Sequence, residues 1–239
     1  SIKDLPSRLP SGLTVGAIPR REDPRDVLIS RSGLPLHQLP KGSRVGTSSL
    51  RRQAQLLHYR PDLVIVPVRG NIDTRLRKLA EGEYDAIVLA AAGLLRMGWA
   101  QKITEYLSPD ICLPAVGQGA LGIEIREEDQ EVEALVHKLH SPETEAAIIA
   151  ERAFLHHLGG GCQVPVGALG RIEANRLVLR GMISSVNGKR LLTGKREGAI
   201  SEAVTIGRAL AEDLLDAGGR DILAEIERGQ KQKGKMAER

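Results

Sequence analysis

The chain has 239 residues, 41% of them apolar and 27% charged, with a formal net charge of +4 and a sequence pI near 9.2. These proportions are ordinary for a globular protein long enough to bury a core. No apolar run approaches the roughly 18 residues of a membrane-spanning helix, and two cysteines exclude a disulfide framework. No secretory leader is recognisable, and a reducing cytoplasm is the expected compartment. Aromatic residues make up only 2%, so the core must be aliphatic. Base-stacking platforms are too scarce for the basic pI to point to nucleic acid.

In chain order, Ser1-Ile2-Lys3-Asp4-Leu5-Pro6 has neither the polarity of a leader nor a complete element, and it reads as an interior piece of a larger protein. Residues 43–98 then repeat one theme. A short strand at Arg44-Val45-Gly46-Thr47 leads to Ser48 or Ser49 as N-cap of a helix through about Tyr59. An apolar strand, Leu63–Val66, leads through Arg69-Gly70-Asn71 to a helix starting near Asp73 or Thr74. A third strand, Asp85–Ala90, leads to a turn at Gly93 and then Leu94–Met97. Continuous apolar strands alternating with helices predict a parallel α/β sheet covered on both faces.

Beyond it, Pro114–Gly119 reads as a loop, Ala120–Ile125 as a strand and Gln130–Leu139 as a helix. A long helix over Glu143–Leu158 stops at Gly159-Gly160-Gly161. Three alternating segments follow, Val164–Ile172, Leu177–Ser184 and Arg190–Arg196, with Asn187-Gly188 as a hairpin signal between the last two. Helices near Ala203–Ala217 and Arg220–Arg228 complete a small α+β unit, and the charged tail from Gln230 is expected to be disordered.

Arginine outnumbers lysine by 24 to 10, and its placement matters more than its number. Seven arginines and one lysine fall between Arg44 and Leu79, against two acids, Asp62 and Asp73. Arg51 and Arg52 occupy the first turn of one predicted helix, Arg69 and Arg75 flank the start of the next, and Arg96 follows the third strand. Helix starts disfavour cations, and in a parallel sheet these junctions share the carboxyl edge of the strands, where ligands bind. One convergent site for a polyanion follows, with bidentate recognition of carboxylate or phosphate as its chemistry. Because a crowded positive patch would be relieved, replacing one of these arginines is expected to cost little thermal stability. Arg176 and Arg208 fall outside the cluster. No G-x-x-x-x-G-K-[ST] is present. Gly117-Gln118-Gly119-Ala120-Leu121-Gly122 fits G-x-G-x-x-G without the strand before it and helix after it that dinucleotide binding needs.

Cys112, between Ile111 and Leu113, reads as a core residue. Cys162 follows three glycines, where a thiol can approach a ligand closely, although spacing alone slightly favours a structural role. The pairs His137/His140 and His156/His157 lack the further ligands of a metal site. Asp4, judged by itself, is a turn aspartate.

Taken together, Lys3-Asp4-Leu5-Pro6, Val45-Gly46-Thr47-Ser48-Ser49-Leu50-Arg51-Arg52, Arg69-Gly70-Asn71 with Thr74-Arg75-Leu76, Val116-Gly117-Gln118-Gly119-Ala120 and Gly160-Gly161-Cys162-Gln163-Val164-Pro165 closely resemble the porphobilinogen deaminase family, in its order and across the whole chain. The resemblance implies a transferase that condenses four porphobilinogen molecules head to tail, losing ammonia each time, to give hydroxymethylbilane for tetrapyrrole biosynthesis. It implies a dipyrromethane cofactor attached through Cys162 and Asp4 as the catalytic carboxylate. Lys3, Ser49, Arg51, Arg52 and Arg75 are implied as cofactor-binding residues, and Arg69, Arg96 and Gln118 as substrate-binding residues. The implied fold is α/β, a periplasmic-binding-protein-like (type II) two-domain core with a third small α+β domain. Residues 1–21 and 115–140 would be a remnant of domain 1, 22–114 domain 2 and 141–239 domain 3, with the family pattern continuing upstream of Ser1. A cytoplasmic monomer is implied, with porphobilinogen as its partner and neither nucleic acid nor membrane. A non-catalytic sensor of a polycarboxylate would share the arginines but would need neither Cys162 nor Asp4.

Overall fold

The computed structural model describes residues 1–6, 9–159 and 164–237, with side chains through 229. Among these residues ten strands form three sheets, accompanied by seven α-helices. Along the chain the first elements are β1 (Leu13–Ala17), β2 (Asp26–Ser30), β3 (Arg44–Gly46), α1 (Leu50–Tyr59), β4 (Val64–Val66), α2 (Ile72–Ala80), β5 (Ala86–Ala90), α3 (Ala91–Arg96) and β6 (Glu105–Tyr106). Next come β7 (Ile123–Arg126), α4 (Gln130–Val136), α5 (Pro142–His157), β8 (Val166–Glu173), β9 (Arg176–Ser184), β10 (Leu191–Gly198), α6 (Ala203–Leu214) and α7 (Arg220–Ala237).

The central sheet has the order β4-β3-β5-β2-β6. Strands β3, β4 and β5 run parallel, as the repeating pattern predicts, whereas β2 runs antiparallel to both β5 and β6. The expected parallel arrangement holds for the three strands of that pattern, and β2 and β6, outside it, make the whole sheet mixed. The reason is topological: β2 enters the sheet where β5 leaves it, with Asp26 paired to Ala90 and Ser30 to Ala86. All five β2 residues are buried. Leu28 packs with Leu36, Val45, Leu56 and Leu107 on one face, and Val27 and Ile29 pack with Leu79, Ile87 and Leu94 on the other. The alternation of side chains thus feeds two aliphatic cores.

Ser49 is the N-cap of α1, accepting from the Arg52 backbone N–H, and Asn71 caps α2 through Thr74. The expected turn at Gly93 is instead part of α3, which starts directly after β5 and ends at Arg96. A separate two-stranded sheet pairs β1 with β7 antiparallel. The expected strand over Ala120–Ile125 shrinks to Ile123–Arg126, because residues 117–120 turn before the chain can extend.

The α+β unit carries the antiparallel sheet β10-β9-β8 under α5 and α6, around Phe154, Leu179, Ile183 and Leu210. Its β9–β10 hairpin turns at Asn187-Gly188, as its sequence predicts, and the tip rests on α1. His58 Nδ1 lies 2.9 Å from the Gly188 carbonyl oxygen. Gly188 has φ +71°, and a Cβ there would lie 2.3 Å from the Ala54 carbonyl oxygen, so only glycine allows the approach. The helix that presents Arg51 and Arg52 is thereby braced by the α+β unit. The tail expected to be disordered from Gln230 continues α7 as helical backbone to Ala237.

Candidate functional site

Arg51 and Arg52 lie in the first turn of α1, at the carboxyl edge of β3, as their spacing predicts. Their side chains are buried, and both converge on Asp26, which is inaccessible to solvent. Arg51 Nη1 donates to Asp26 Oδ2 at 2.7 Å and to the Leu113 carbonyl at 2.6 Å. Arg52 donates to Asp26 Oδ1 from Nε at 3.0 Å and from Nη2 at 2.7 Å, while its Nη1 donates to the Val88 carbonyl at 3.0 Å. Burial by itself would raise the Asp26 pKa, but the two guanidinium charges and their hydrogen bonds outweigh it and hold the carboxyl far below the usual range. The carboxylate is ionised, and two buried cations share one buried anion.

The Val116–Gly119 loop closes this centre. Gln118 is almost wholly buried and donates Nε2 to the Pro24 carbonyl at 2.7 Å and to Asp26 Oδ1 at 2.9 Å. Gly117, at φ +75°, brings the loop against the Ile2–Asp4 turn; a Cβ there would lie 2.7 Å from Ile2 Cγ2 and 3.0 Å from the Lys3 backbone nitrogen. The Ile2 N–H donates to the Ala120 carbonyl at 3.1 Å, and the Ile2 side chain is buried. An apolar anchor and a glycine contact therefore hold the exposed Lys3 and Asp4 beside the arginines. Loss of solvation, then the charge of Arg52, lowers the Lys3 pKa, opposed by Asp4 and Asp26.

A cavity of about 1080 Å³ runs along this wall, lined by Lys3, Asp4, Ser49, Arg51, Arg52 and Gln118. That size suits a ligand larger than one pyrrole. Its far side is formed by the α5 and α6 faces, including Ile149, His156, Val204 and Arg208. Arg208, outside the cluster by sequence, is therefore part of the cavity. No buried side-chain nitrogen or oxygen among the described residues lacks a partner. Among the described residues Arg51 Nε and Nη2 have no hydrogen-bond acceptor, and Arg51 lines the cavity.

Three further arginines of the expected cluster do not line the cavity. Arg75 donates Nε to the Gly70 carbonyl at 2.7 Å, and desolvation followed by the nearby Arg52 charge lowers its pKa. Arg96 donates Nη2 to the Gly119 carbonyl at 2.8 Å, and Arg69 is exposed. Arg96 closes α3 rather than opening it, so its position is favourable to a cation and the helix-start argument does not extend to it. Arg44, Arg60 and Arg77 pair with Asp85, Asp62 and Glu81, and are structural or solvated charges.

Cys162 lies outside the described residues. Gly159 and Val164, the described residues before and after it in the sequence, both line the cavity. Cys112 is fully buried, donates to Asp26 Oδ2 at 3.2 Å and has its thiol pushed up to about 12 by burial and the Asp26 charge. It is a core thiol, as its apolar neighbours predict, and a poor nucleophile. Sequence reading missed Asp26. Its only signal was a single acid opening the apolar run Val27-Leu28-Ile29.

A cavity walled by surplus guanidinium charge at the carboxyl edge of an α/β sheet defines a protein that handles a multiply carboxylated ligand. Comparison with known proteins makes the class specific. Residues 1–134 match the family profile for porphobilinogen deaminase, dipyromethane cofactor binding domain, and residues 146–216 match the porphobilinogen deaminase C-terminal domain. The chain is 57% identical to the porphobilinogen deaminase of Roseiflexus castenholzii over 94% of its own length and 74% of that protein. It is 54% identical to that of Syntrophobacter fumaroxidans over 95% and 74%, respectively. The chain belongs to the porphobilinogen deaminase family. It is a transferase of tetrapyrrole biosynthesis that condenses porphobilinogen, with loss of ammonia, to hydroxymethylbilane, and it uses a dipyrromethane cofactor.

Proposed function

We propose that the cavity below the Val116–Gly119 loop is where cofactor and substrate pyrroles are held by their acidic side chains. The observation that carries this reading is the shared acid: Arg51 and Arg52 are both buried at the cavity wall, and among the described residues Asp26 is the one acid paired with them. A buried charge is costly unless paired, and the unpaired guanidinium edge is complementary to a ligand carboxylate. A cofactor bearing several carboxylates fits this donor set. When bound, the dipyrromethane primes the chain of pyrroles.

Lys3, Ser49, Arg51, Arg52 and Arg75 are assigned to the cofactor, Arg69, Arg96 and Gln118 to the substrate, and Asp4 to catalysis. Because the Gln118 amide nitrogen is engaged by Pro24 and Asp26, what it offers a ligand is its side-chain oxygen, an acceptor for a pyrrole N–H and not for a carboxylate. Loss of ammonia leaves an azafulvene with positive charge on its pyrrole nitrogen. The Asp4 carboxylate, exposed in the cavity, stabilises that charge and moves protons at its oxygen atoms. Residues 1–21 with 115–140, then 22–114, then 141–239 form the three domains, a division supported by one sheet in each. The protein acts as a cytoplasmic monomer on porphobilinogen without nucleic acid or membrane; no helix among the described residues is long and apolar enough to cross a bilayer.

Attachment is tested by peptide mapping of the purified holoenzyme. The dipyrrole adduct is expected on Cys162 and should persist in Cys112→Ser. A free Cys162 thiol in active enzyme would overturn the assignment.

A further inference from the structure

We propose that Asp26 is a positioning residue for the condensation: it fixes the orientation of both Arg51 and Arg52 and sets the charge of the pair, so that one ligand carboxylate completes the set. The inference rests on the carboxylate-binding reading of the cavity and adds to it the residue on which that binding depends.

Asp26 makes more contacts than an ordinary ion-pair partner. Its Oδ2 accepts from Arg51 Nη1 at 2.7 Å and from Cys112 Sγ at 3.2 Å. Its Oδ1 accepts from Arg52 Nε and Nη2, at 3.0 and 2.7 Å, and from Gln118 Nε2 at 2.9 Å. A carboxylate offers about four lone-pair sites, so Asp26 is saturated by protein donors and has none left for a ligand. Its action on the ligand must run through the arginines. The Arg52 plane is held by a fork to Asp26 on one edge and by the Val88 carbonyl on the other. Among the described residues Arg51 is held through Nη1 alone, which leaves its Nε and Nη2 without an acceptor at a residue that lines the cavity.

The charge follows from the same geometry. A second acid would neutralise the cluster and remove its attraction for a carboxylate. No acid at all would leave two desolvated cations side by side, an arrangement that burial disfavours strongly. One acid leaves one positive charge to be met. The antiparallel course of β2 makes this possible, because it brings the first residue of that strand to the edge where β3 and β5 end.

The test is a double-mutant cycle of Asp26→Asn and Arg52→Leu in the holoenzyme, read as cofactor occupancy by intact mass and as KM and kcat for porphobilinogen. Asparagine must turn its amide N–H groups either toward Arg51 or toward Arg52 and the Gln118 amide, so one of the two guanidinium contacts is lost together with the negative charge. Asp26→Asn is expected to lower occupancy or raise KM roughly tenfold or more, with a smaller change in kcat. The double variant should be worse than Arg52→Leu, since Arg51 is still held by Asp26 there, but by a smaller factor than Asp26→Asn costs in the parent, because the Arg52 contact is already gone. Effects that multiply, or an unchanged KM and occupancy in Asp26→Asn, would overturn the proposal. Should Asp26→Asn fail to fold, Asp26→Asn with Arg51→Met keeps one surplus charge. Its KM should rise about fivefold or more over Arg51→Met alone, and equality overturns the inference. If Arg51→Leu and Arg52→Leu leave KM and occupancy unchanged, the binding reading itself fails. If they do not and Asp26→Asn is silent, only the positioning role falls.

Discussion

Two buried ion clusters flank the Val116–Gly119 loop, and they differ by one charge. On one side Glu151, fully buried, takes a two-pronged contact from Arg21, at 2.5 and 3.2 Å, and backbone N–H donors from Gly117 and Gly170 at 2.7 Å each. One cation meets one anion, and the pair ties α5 to the loop, to β8 and to the chain entering β2. On the other side one carboxylate, Asp26, faces two guanidinium groups beside a cavity. A balanced buried pair completes itself and acts as a clamp, whereas an unbalanced one leaves charge for a ligand to complete. Proximity to the same loop makes the contrast testable, because both clusters share its geometry and differ in stoichiometry.

The largest effect expected is on turnover. Asp4→Asn should lower kcat by roughly 10²–10⁴ with an unchanged melting temperature, since Asp4 is exposed; near-normal kcat would remove it from the mechanism. In the clamp, Glu151→Ala should cost about 3–5 kcal/mol by leaving Arg21 without its anion. Calorimetry should show the loss, while the fraction still folded keeps its KM. A shift in KM beyond twofold would erase the distinction between the clusters.

Arg51→Leu should act on both scales. It should raise KM or deplete cofactor roughly ten- to a hundredfold and also lower the melting temperature, because it removes a bonded neighbour of a buried carboxylate. The near-neutral stability expected from a crowded surface patch does not apply to a side chain packed against Asp26.

The smallest effect is on acid stability. The folded Asp26 pKa lies below its unfolded value of about 3.9, so its contribution is complete above that value and is lost as pH falls toward the folded pKa. Denaturant titrations at decreasing pH should show a shallower acid-side loss in Asp26→Asn than in the parent protein. Parallel curves would contradict the assignment of the ionised state.

Much of this arrangement was legible before any coordinates. The helices carrying Arg51 and Arg75, the N-cap at Ser49, the hairpin at Asn187-Gly188 and the α/β class follow from local periodicity and turn chemistry, which need only neighbouring residues. Asp26 was not legible. Its partners lie 25, 26 and 92 residues away, and only the antiparallel insertion of β2 brings them together. Counting acids between Arg44 and Leu79 therefore overstated the free positive charge. Arg208 was misplaced for the same reason, since no local pattern shows that α6 faces the cavity. Arg176, paired with Glu197 at 3.8 Å on β9 and β10 and not lining the cavity, is the arginine to compare with the cluster.

The central claim is that the unbalanced cluster, and not basic charge in general, holds the pyrrole carboxylates. Cofactor occupancy by intact mass, measured together with KM for porphobilinogen in Arg52→Leu and Arg176→Leu, tests it most directly. Arg52→Leu should lose ten- to a hundredfold in KM or most of its cofactor, while Arg176→Leu stays within about twofold of the parent, as a solvent-screened pair should. Equal behaviour of the two variants would contradict the account.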